Sequence, residues 1–402
     1  MLVTDTPAKP LRIPATVWIL GLVSMLMDIS SEMIHSLLPI FMVTVLGASA
    51  TTVGVIEGIA ESTALIVKVF SGALSDYIGK RKWLTVFGYA LGAATKPLFA
   101  LAPGIGWVFT ARFLDRIGKG IRGAPRDALI ADVTPAAIRG AAFGLRQSLD
   151  TVGAFSGPLL AIGLMLLWQN DFRAVFWVAV VPGTLAVAML VFGIREPAHA
   201  IAGEAGVAKK PFPISRAALS QMPRAYWWVV AVGAMLTLAR FSEAFLILRA
   251  QEGGLQIALT PLVLVLMNVV YASASYPLGA LADRMRHSTL LALGIVPLII
   301  ADALLGHSAQ PGWVAAGLVC WGLHMAATQG LLAAMIADCA PADLRGTAFG
   351  VFNLGSGLSM LVASVIAGVV WDRFGAASTF HVGLVFASLS LLLIPAIRVP
   401  RG

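Results

Sequence analysis

A stripe of charged side chains between Arg112 and Asp127 is the part of this sequence best suited to chemistry. It contains five basic and two acidic residues, in a chain of 402 residues that is only 12% charged. At 100° per residue these side chains fall within about 140° of one another, so a helix would carry them on one face. The flanking sequence is apolar, and we therefore predict a cationic face on a membrane-spanning helix. The charged members are Arg112, Asp115, Arg116, Lys119, Arg122, Arg126 and Asp127.

Acidic residues in the first two apolar segments can balance this stripe. Asp28, Glu32 and His35 have the i, i+4, i+7 spacing of one helix face, and Glu57 and Glu61 share a face of the next helix. If every group ionises, the stripe sums to +3 and the first two segments sum to −3. A charge at the centre of a membrane helix costs roughly 2.5–3.5 kcal/mol, so we predict an interior network of ion pairs. The sum of −3 includes Lys68 of the second segment. In the fifth segment the charges of Arg146 and Asp150 cancel each other.

A buried acid in such a network can carry a proton. Opening the site to one side of a membrane changes the burial of the acid and the charges around it, and both change its affinity for a proton. A purely structural network that locks the helices together is the alternative. The residues we expect in proton coupling are Asp28, Glu32, Glu57, Glu61 and Arg116, with Lys119 as a further tuning partner.

Residues of both halves of the chain are candidates for the wall of a substrate cavity. In the second half Arg240 and Glu243 stand at i, i+3 and could pair only with each other. A lone Trp or His in a membrane helix more often packs than binds, so packing is the alternative for Trp321 and His324. The predicted cavity residues are Arg112, Arg116, Lys119, Arg122, Asp150, Arg240, Glu243, Asn268, Trp321, His324 and Gln329.

The elements that must position these residues are membrane helices. The chain is 58% hydrophobic with a mean hydropathy of +0.87, whereas a soluble protein is about half apolar and about a quarter charged. A span needs about 20 mostly apolar residues, and the sequence predicts twelve of them in an all-α membrane protein. They cover approximately 14–42, 50–71, 83–103, 105–132, 142–168, 173–194, 225–249, 258–280, 288–306, 312–338, 347–370 and 378–397.

The distribution of Lys and Arg among the connections predicts the orientation. With the N-terminus in the cytoplasm, sixteen of these residues lie in cytoplasmic connections and three in external ones. Positive charge concentrates on the cytoplasmic side of membrane proteins, so both termini are expected there. The first apolar run is expected to remain as a helix and not to be cleaved as a signal peptide.

The second half of the sequence repeats the first. Residues 130–144 recur as 336–350 at an offset of 206, and residues 72–76 recur as 279–283 at an offset of 207. Two parallel repeats of six helices are typical of transporters whose halves rock about a central site. We predict an N-terminal bundle over 1–194, a cytoplasmic linker over 195–224 and a C-terminal bundle over 225–402.

The connection after the second span carries a recognisable motif, Gly72-Ala-Leu-Ser-Asp76-Tyr-Ile-Gly79-Lys80-Arg81. It resembles the signature of the major facilitator superfamily, with Tyr77 in place of the usual arginine. The resemblance covers essentially the whole chain. It implies that Gly72, Asp76, Gly79, Lys80 and Arg81 form a gate motif that latches the cytoplasmic side in the outward-facing state.

The fifth span resembles the antiporter motif of that superfamily. Gly144, Gly153, Gly157 and Pro158 match its first four positions, and the final glycine pair is absent. Small residues at this spacing let helices approach closely, and a proline allows a bend. The resemblance is to drug–proton exporters, whereas general glycine-rich packing is the alternative.

The charged stripe itself is similar to the superfamily's fourth-helix motif, with Lys119 in the position of a glutamine. In that family the arginine, here Arg116, is associated with proton coupling. The lysine makes the expected cavity more cationic than that of the drug exporters. The repeat copy, Trp321–Ala334, has no charged residue and offers only His324 and Gln329.

We therefore expect a secondary transporter that exports a small organic compound, anionic in view of the stripe, by proton antiport. Proton-coupled uptake of an organic anion is one alternative. A metal or metal-chelate exporter using Asp28, Glu32, His35 and His324 is another. The expected setting is a bacterial-type inner membrane, and the protein is expected to be a monomer.

Other classes are disfavoured by the sequence. The net charge of +8 lies in short connections, so a nucleic-acid partner is not expected. The sequence shows no nucleophile–base set, nucleotide loop or metal-ligand run, so we expect neither an enzyme nor a cofactor. Cys320 and Cys339 are expected to be packing residues.

Overall fold

The computed structural model describes residues 13–78, 81–194, 219–282, 285–341 and 344–396. Every regular element in these ranges is helical. The first six helices are α1 (Ala15–His35), α2 (Ala50–Ile78), α3 (Arg81–Leu101), α4 (Ile105–Val133), α5 (Arg139–Leu167) and α6 (Phe172–Gly193). The next six are α7 (Arg224–Ala239 and Ala244–Glu252), α8 (Leu262–Ala282), α9 (His287–His307), α10 (Pro311–Thr328 and Leu331–Cys339), α11 (Arg345–Phe374) and α12 (Ala376–Leu393).

Ten helical stretches among the described residues are long and apolar enough to cross a membrane. The two remaining long helices are α2 and α4, each 29 residues long. They carry the acids and the charged stripe noted above, and these charges lower their hydropathy. An integral multi-pass membrane protein is confirmed by this architecture.

Three of the predicted spans are interrupted. After His35 the chain continues through Leu38–Ile40 and the π-helical turn Phe41–Val45. Pro39 stands in the first turn of this short helix. Proline is tolerated there because an N–H at the start of a helix has no partner within the helix. The other two interruptions separate the two segments of α7 and of α10.

The break in α7 is fixed by contacts with another helix. Arg240 leaves the helical conformation with φ −102° and ψ 67°. The Ser242 N–H then donates to Ser364 Oγ of α11 at 3.2 Å. Hydropathy alone carries no signal for such a break, because the surrounding residues remain apolar.

The packing of the first six helices recurs in the last six. In the first set α1 packs on α5 and α6, α3 packs on α4 and α6, and α2 packs on α4. In the second set α7 packs on α11 and α12, α9 packs on α10 and α12, and α8 packs on α10. The register also agrees, because Gly88 lies against Arg122 and the positions 206 residues later, Gly294 and Thr328, lie against each other.

The two sets meet mainly through α2 with α11 and α5 with α8. Gly54 and Gly58 of α2 let the α11 backbone approach: a Cβ at Gly58 would lie 3.1 Å from the Leu361 carbonyl oxygen. At the start of α2 the Ala50 and Thr51 N–H groups donate to Asp372 of α11 at 3.1 and 2.8 Å. We call this end of the bundle the far side, and the end where α1 begins and α12 ends the termini side.

The two sets diverge towards the termini side. A Cβ at Gly72 of α2 would meet only Ala124 of its own set, and one at Gly144 of α5 or Gly279 of α8 would meet no atom outside its own helix within 4 Å. Tyr276 of α8 is 86% exposed. The two sets therefore separate towards the termini side, and we call the space between them the central cavity.

Candidate functional site

The centre of the charged network is an ion pair between α4 and α2. Arg112 Nε donates to Glu57 Oε1 at 3.1 Å, and its Nη2 donates to Oε2 at 2.6 Å. Arg112 is 3% exposed and Glu57 is fully buried. This bidentate geometry satisfies both carboxylate oxygens, as a buried ion pair requires. Glu61, one turn further along α2, lies 3.5 Å from the same guanidinium.

The network continues along α4 to α3. Arg116 lies 3.4 Å from Glu61 and 3.9 Å from Asp115. Asp115 accepts a hydrogen bond from Lys96 of α3 at 2.8 Å, and Lys96 also donates to Ser31 of α1 at 3.0 Å. Four helices are therefore joined by one connected set of charges.

His35 joins α1 to the same set. Its Nδ1 lies 3.5 Å from Glu32 of α1, and its Nε2 lies 3.5 Å from Glu57 of α2. A carboxylate only accepts hydrogen bonds, and only the protonated imidazole can donate from both nitrogens. The ring can therefore donate to both acids when both of its nitrogens are protonated.

A second group of charges lies nearer the termini side. Arg146 of α5 contacts Asp150 at 2.7 Å and Asp127 of α4 at 3.9 Å. Arg126 contacts Asp127 at 3.1 Å and donates to Ser24 of α1 at 2.8 Å. This group joins α1, α4 and α5.

Asp28 and Arg122 lie between these groups. Their closest atoms are 4.0 Å apart, and the Arg122 guanidinium also lies 4.8 Å from the centre of the Tyr89 ring. A cation over an aromatic face is attracted by the ring quadrupole. Asp28 is therefore held less firmly by its cation than Glu57 is by Arg112.

Several cationic atoms in this region retain free hydrogen-bonding capacity. Within the described residues, Arg116 Nε, Arg122 Nη1 and Arg146 Nε are buried without an acceptor. Lys119 is exposed, and the part of the chain that the structure describes offers it no ion pair within 4.0 Å. Unpaired buried N–H groups are costly, and the exposed Lys119 ammonium is the accessible cation among these donors.

The motif of α5 brings that helix against the acids of α1. A Cβ at Gly153 would lie 2.7 Å from the Met25 carbonyl oxygen and 2.9 Å from Asp28 Cβ. One at Gly157 would lie 2.8 Å from the Ile29 carbonyl oxygen. Pro158 is buried within α5. Gly144, the first position of the motif, has open space around it.

The gate motif is described only in part. Gly72 lies near Ala124 of α4, and Arg81 at the start of α3 pairs with Asp132 at the end of α4. Gly79, Lys80 and the side chain of Asp76 lie outside the described residues. The Arg81–Asp132 pair has a repeat counterpart 206 positions later, which is His287 of α9 with Asp338 of α10 at 3.1 Å.

The C-terminal residues predicted to line the cavity are not all brought there. Trp321 and His324 are buried within the second set, and His324 Nδ1 lies 2.7 Å from the Gly294 carbonyl oxygen of α9. Both therefore pack between helices in this conformation. Asn268 is partly exposed and Gln329 is exposed.

The two charged residues of α7 flank its break. Within the described residues neither Arg240 nor Glu243 forms an ion pair within 4.0 Å or a side-chain hydrogen bond. That Arg240 and Glu243 could pair only with each other therefore stays a prediction.

One group of side chains has the donor atoms of a metal site. Ligand atoms of His35, Glu57 and Glu61 lie within 4.8 Å of one another. However, both oxygens of Glu57 already accept hydrogen bonds from Arg112. The set expected from the sequence is not assembled, because His324 lies between α9 and α10 of the second set.

Two of the pairs described above were not anticipated from the sequence. Lys96 had no expected partner, although it stands on the α3 face that packs against Asp115. The pairing of His287 with Asp338 had an available signal, because the offset of 206 maps Arg81 and Asp132 onto them.

Two packed helical repeats around a buried charged cavity define a multi-pass membrane transporter. Residues 20–363 match the family described as the Major Facilitator Superfamily, and the chain belongs to this superfamily. Its members are generally secondary transporters of small molecules and not enzymes.

Relatives and solved structures agree with this assignment. The chain is 32% identical over 391 residues to MJ1317 of Methanocaldococcus jannaschii, an uncharacterized MFS-type transporter, and the match covers 94% of each chain. It is 34% identical over 155 residues to the multidrug resistance protein MdtH of Yersinia enterocolitica, covering 38% of this chain and 37% of MdtH. A POT family transporter crystallised with a thioalcohol-conjugated peptide shares the fold with a TM-score of 0.79 at 13% identity, over 96% of this chain and 95% of that one.

Proposed function

We propose that this protein is a proton-coupled antiporter that exports a small organic anion by alternating access. All twelve helices cross the membrane with both termini in the cytoplasm of a bacterial-type inner membrane. The bundles are 1–194 and 225–402, joined by a cytoplasmic linker over 195–224. The protein acts as a monomer.

The observation that carries this proposal is the charged network around Arg112 and Glu57. Charged side chains inside a membrane protein are costly and mark ion or substrate pathways. Here they come from α1 to α5, and they border a cavity between two repeats that can rock against each other. With the termini in the cytoplasm, the cavity is open inwards and the far side is closed.

Proton coupling is assigned to acids that differ in how firmly they are held. Glu57 is held by two nitrogens of Arg112, Nε and Nη2, whereas the closest cation to Asp28 lies at 4.0 Å. Asp28 and Glu32 line the α1–α5 contact, so movement of α5 changes their surroundings. Glu61 and Arg116 link them to the rest of the network. The acids Asp28, Glu32 and Glu61 exchange the proton while Arg116 stays charged, and Arg112 with Glu57 maintains the helix arrangement.

The anion site is assigned to cations that retain free donors. Lys119 is exposed, and Arg116, Arg122 and Arg146 each have a buried nitrogen without an acceptor among the described residues. Arg112 and Asp150 complete the N-terminal wall. Asn268 and Gln329 are the accessible residues opposite, with Arg240 and Glu243 at the α7 break.

Export is supported by two likenesses. The α5 glycines match most of the antiporter motif, and MdtH, a multidrug resistance protein, matches part of the chain. Uptake of an organic anion with protons is the alternative direction. A metal or metal-chelate exporter is supported by the donor atoms of His35, Glu57 and Glu61, but it requires Arg112 to leave Glu57.

The test is transport by the full chain in proteoliposomes that carry an internal pH dye. A panel of carboxylates, organic phosphates and lipophilic cations is added with and without a proton gradient. Proton movement opposite to the compound, saturable and lost in Arg116→Ala, supports antiport of an anion. Movement in the same direction shows uptake by symport, and proton-independent fluxes for all compounds would refute proton coupling. Zn²⁺ and Mn²⁺ in the same assay test the metal alternative, with His35→Ala as its control.

A further inference from the structure

Outside the cavity, Asp302 stands in the middle of α9. The residue is fully buried, and neither carboxyl oxygen has a hydrogen-bond partner among the described residues. An intramembrane acid without a partner is costly to retain. It therefore requires a physical explanation of its own.

The repeat relationship identifies what is missing at this position. Lys96 and Asp115 form a buried ion pair between α3 and α4. The positions 206 residues later, in the same helix register, are Asp302 and Trp321. The second repeat therefore has an acid where the first has a base, and an indole where the first has an acid. Lys96 neutralises Asp115 in the first repeat, whereas neither of the two corresponding positions in the second repeat carries a cation.

The surroundings of Asp302 are apolar. A Cβ at Gly383 of α12 would lie 2.8 Å from Asp302 Oδ2 and 3.1 Å from Phe241 Cε1. Phe241 in turn packs on Trp321 and Phe380, with ring centroids 5.9 and 5.5 Å apart. The Trp321 indole N–H is also buried without an acceptor within the described ranges.

Among the residues that the structure describes, no charged side chain takes the place that Lys96 has in the first repeat. The helices packed around Asp302 carry Arg240 on α7, His324 on α10 and His381 on α12. Within the described residues none of these forms an ion pair or hydrogen bond with Asp302. His324 is instead turned to the Gly294 carbonyl. An isolated carboxylate in apolar surroundings is far less stable than the neutral acid.

We propose that Asp302 is a proton-binding site of the C-terminal half, separate from the charged network of the cavity. The bound proton supplies the positive charge that Lys96 supplies in the N-terminal half. The step is a simple protonation of one carboxylate oxygen, and no other bond forms or breaks.

The position of Phe241 gives the site a way to respond to movement. Phe241 lies in the break of α7, and both Phe241 and Asp302 border Gly383 of α12. Displacement of the second segment of α7 would therefore expose the acid to water and allow its proton to leave. This inference concerns proton binding in the resting structure and does not depend on the substrate or the direction of transport.

Infrared spectroscopy of the purified full chain tests the proposal. A protonated carboxyl group has a C=O stretch distinct from that of a carboxylate, and it shifts in heavy water. At pH 7 the difference between the parent protein and Asp302→Asn should show the loss of one such band. Asp302→Leu places an apolar side chain in these apolar surroundings and should show the same loss. It serves as the test variant if Asp302→Asn does not fold. Asp338→Asn, in which a half-exposed acid is removed, should leave the band unchanged.

Two results would overturn the proposal. One is a difference spectrum that contains only carboxylate bands, which would mean that Asp302 is ionised. The other is the same loss of the protonated band in Asp338→Asn, which would assign the band elsewhere. Neither result bears on antiport in proteoliposomes, so the two proposals can fail independently.

Discussion

Arg112 donates two hydrogen bonds to Glu57 across the α2–α4 interface, and both side chains lie almost entirely out of solvent. Two ions in that setting must be neutralised together. The pair is therefore a structural constraint as well as a part of the cavity wall. Its strength can be measured separately from transport.

Removing one partner of this pair should destabilise the protein strongly. We expect Arg112→Gln or Glu57→Gln to lower the free energy of unfolding by about 3–5 kcal/mol, because an uncompensated buried charge remains. The double variant should lose less than the sum of the single losses. The measurement is denaturant unfolding in detergent. Glu252→Gln, at a pair with one exposed partner, should cost at most about 1 kcal/mol, and additive losses in the double variant would contradict the coupling.

The acids of α1 should control proton coupling more than stability. We expect Asp28→Asn or Glu32→Gln to abolish accumulation driven by a proton gradient, because an amide cannot take up the proton. Exchange of labelled against unlabelled compound should persist. Both are measured in proteoliposomes with the compound that the panel identifies. Asp171→Asn, at the cap of α6, is the control, and undiminished proton-driven transport by both variants would disprove the assignment.

The glycines of the α5 motif should not be equivalent. We expect Gly153→Ala and Gly157→Ala each to cost about 1–3 kcal/mol of stability, because the added methyl meets the α1 backbone. Gly144→Ala should be neutral or stabilising by up to about 1 kcal/mol, because its surroundings are open and alanine favours a helix. Thermal unfolding in detergent compares the three. Equal effects at all three positions would show that the motif acts through helix propensity alone.

The α2–α11 contact should determine which side is open. We expect Gly58→Leu to separate the halves on the far side, because its side chain would meet the α11 backbone at Leu361. The distance between spin labels at Ser148 of α5 and Ser273 of α8, in a background lacking Cys320 and Cys339, should then shorten. Gly163→Leu, at a position with open space, should leave the distance distribution unchanged. An unchanged distribution in Gly58→Leu would show that this contact does not control access.

The fold could be predicted largely because its signals are periodic. Hydropathy located the helices, and the offset between residues 130 and 336 revealed the repeat. The breaks in α7 and α10 could not be found in this way. The α7 break depends on a hydrogen bond between Ser242 and Ser364, which are distant in sequence.

The charged site was predictable in composition but not in its pairs. The balance between the stripe and the acids of α1 and α2 indicated a network. The partner of Lys96 and the bridging position of His35 depend on how the helices rotate about their axes. Burial had a similar effect at Trp321 and His324, because nothing local distinguishes a wall residue from one packed between helices.

The first turn of α2 is capped by the opposite half of the molecule. Asp372 accepts the Ala50 and Thr51 N–H groups, and a side-chain cap of this kind contributes about 1 kcal/mol. When the far side opens, these amides must exchange the carboxylate for water. Loss of this cap and separation of the halves on the far side therefore become a single event. Hydrogen exchange at these two amides would therefore report the opening of the far side, without any knowledge of what the transporter carries.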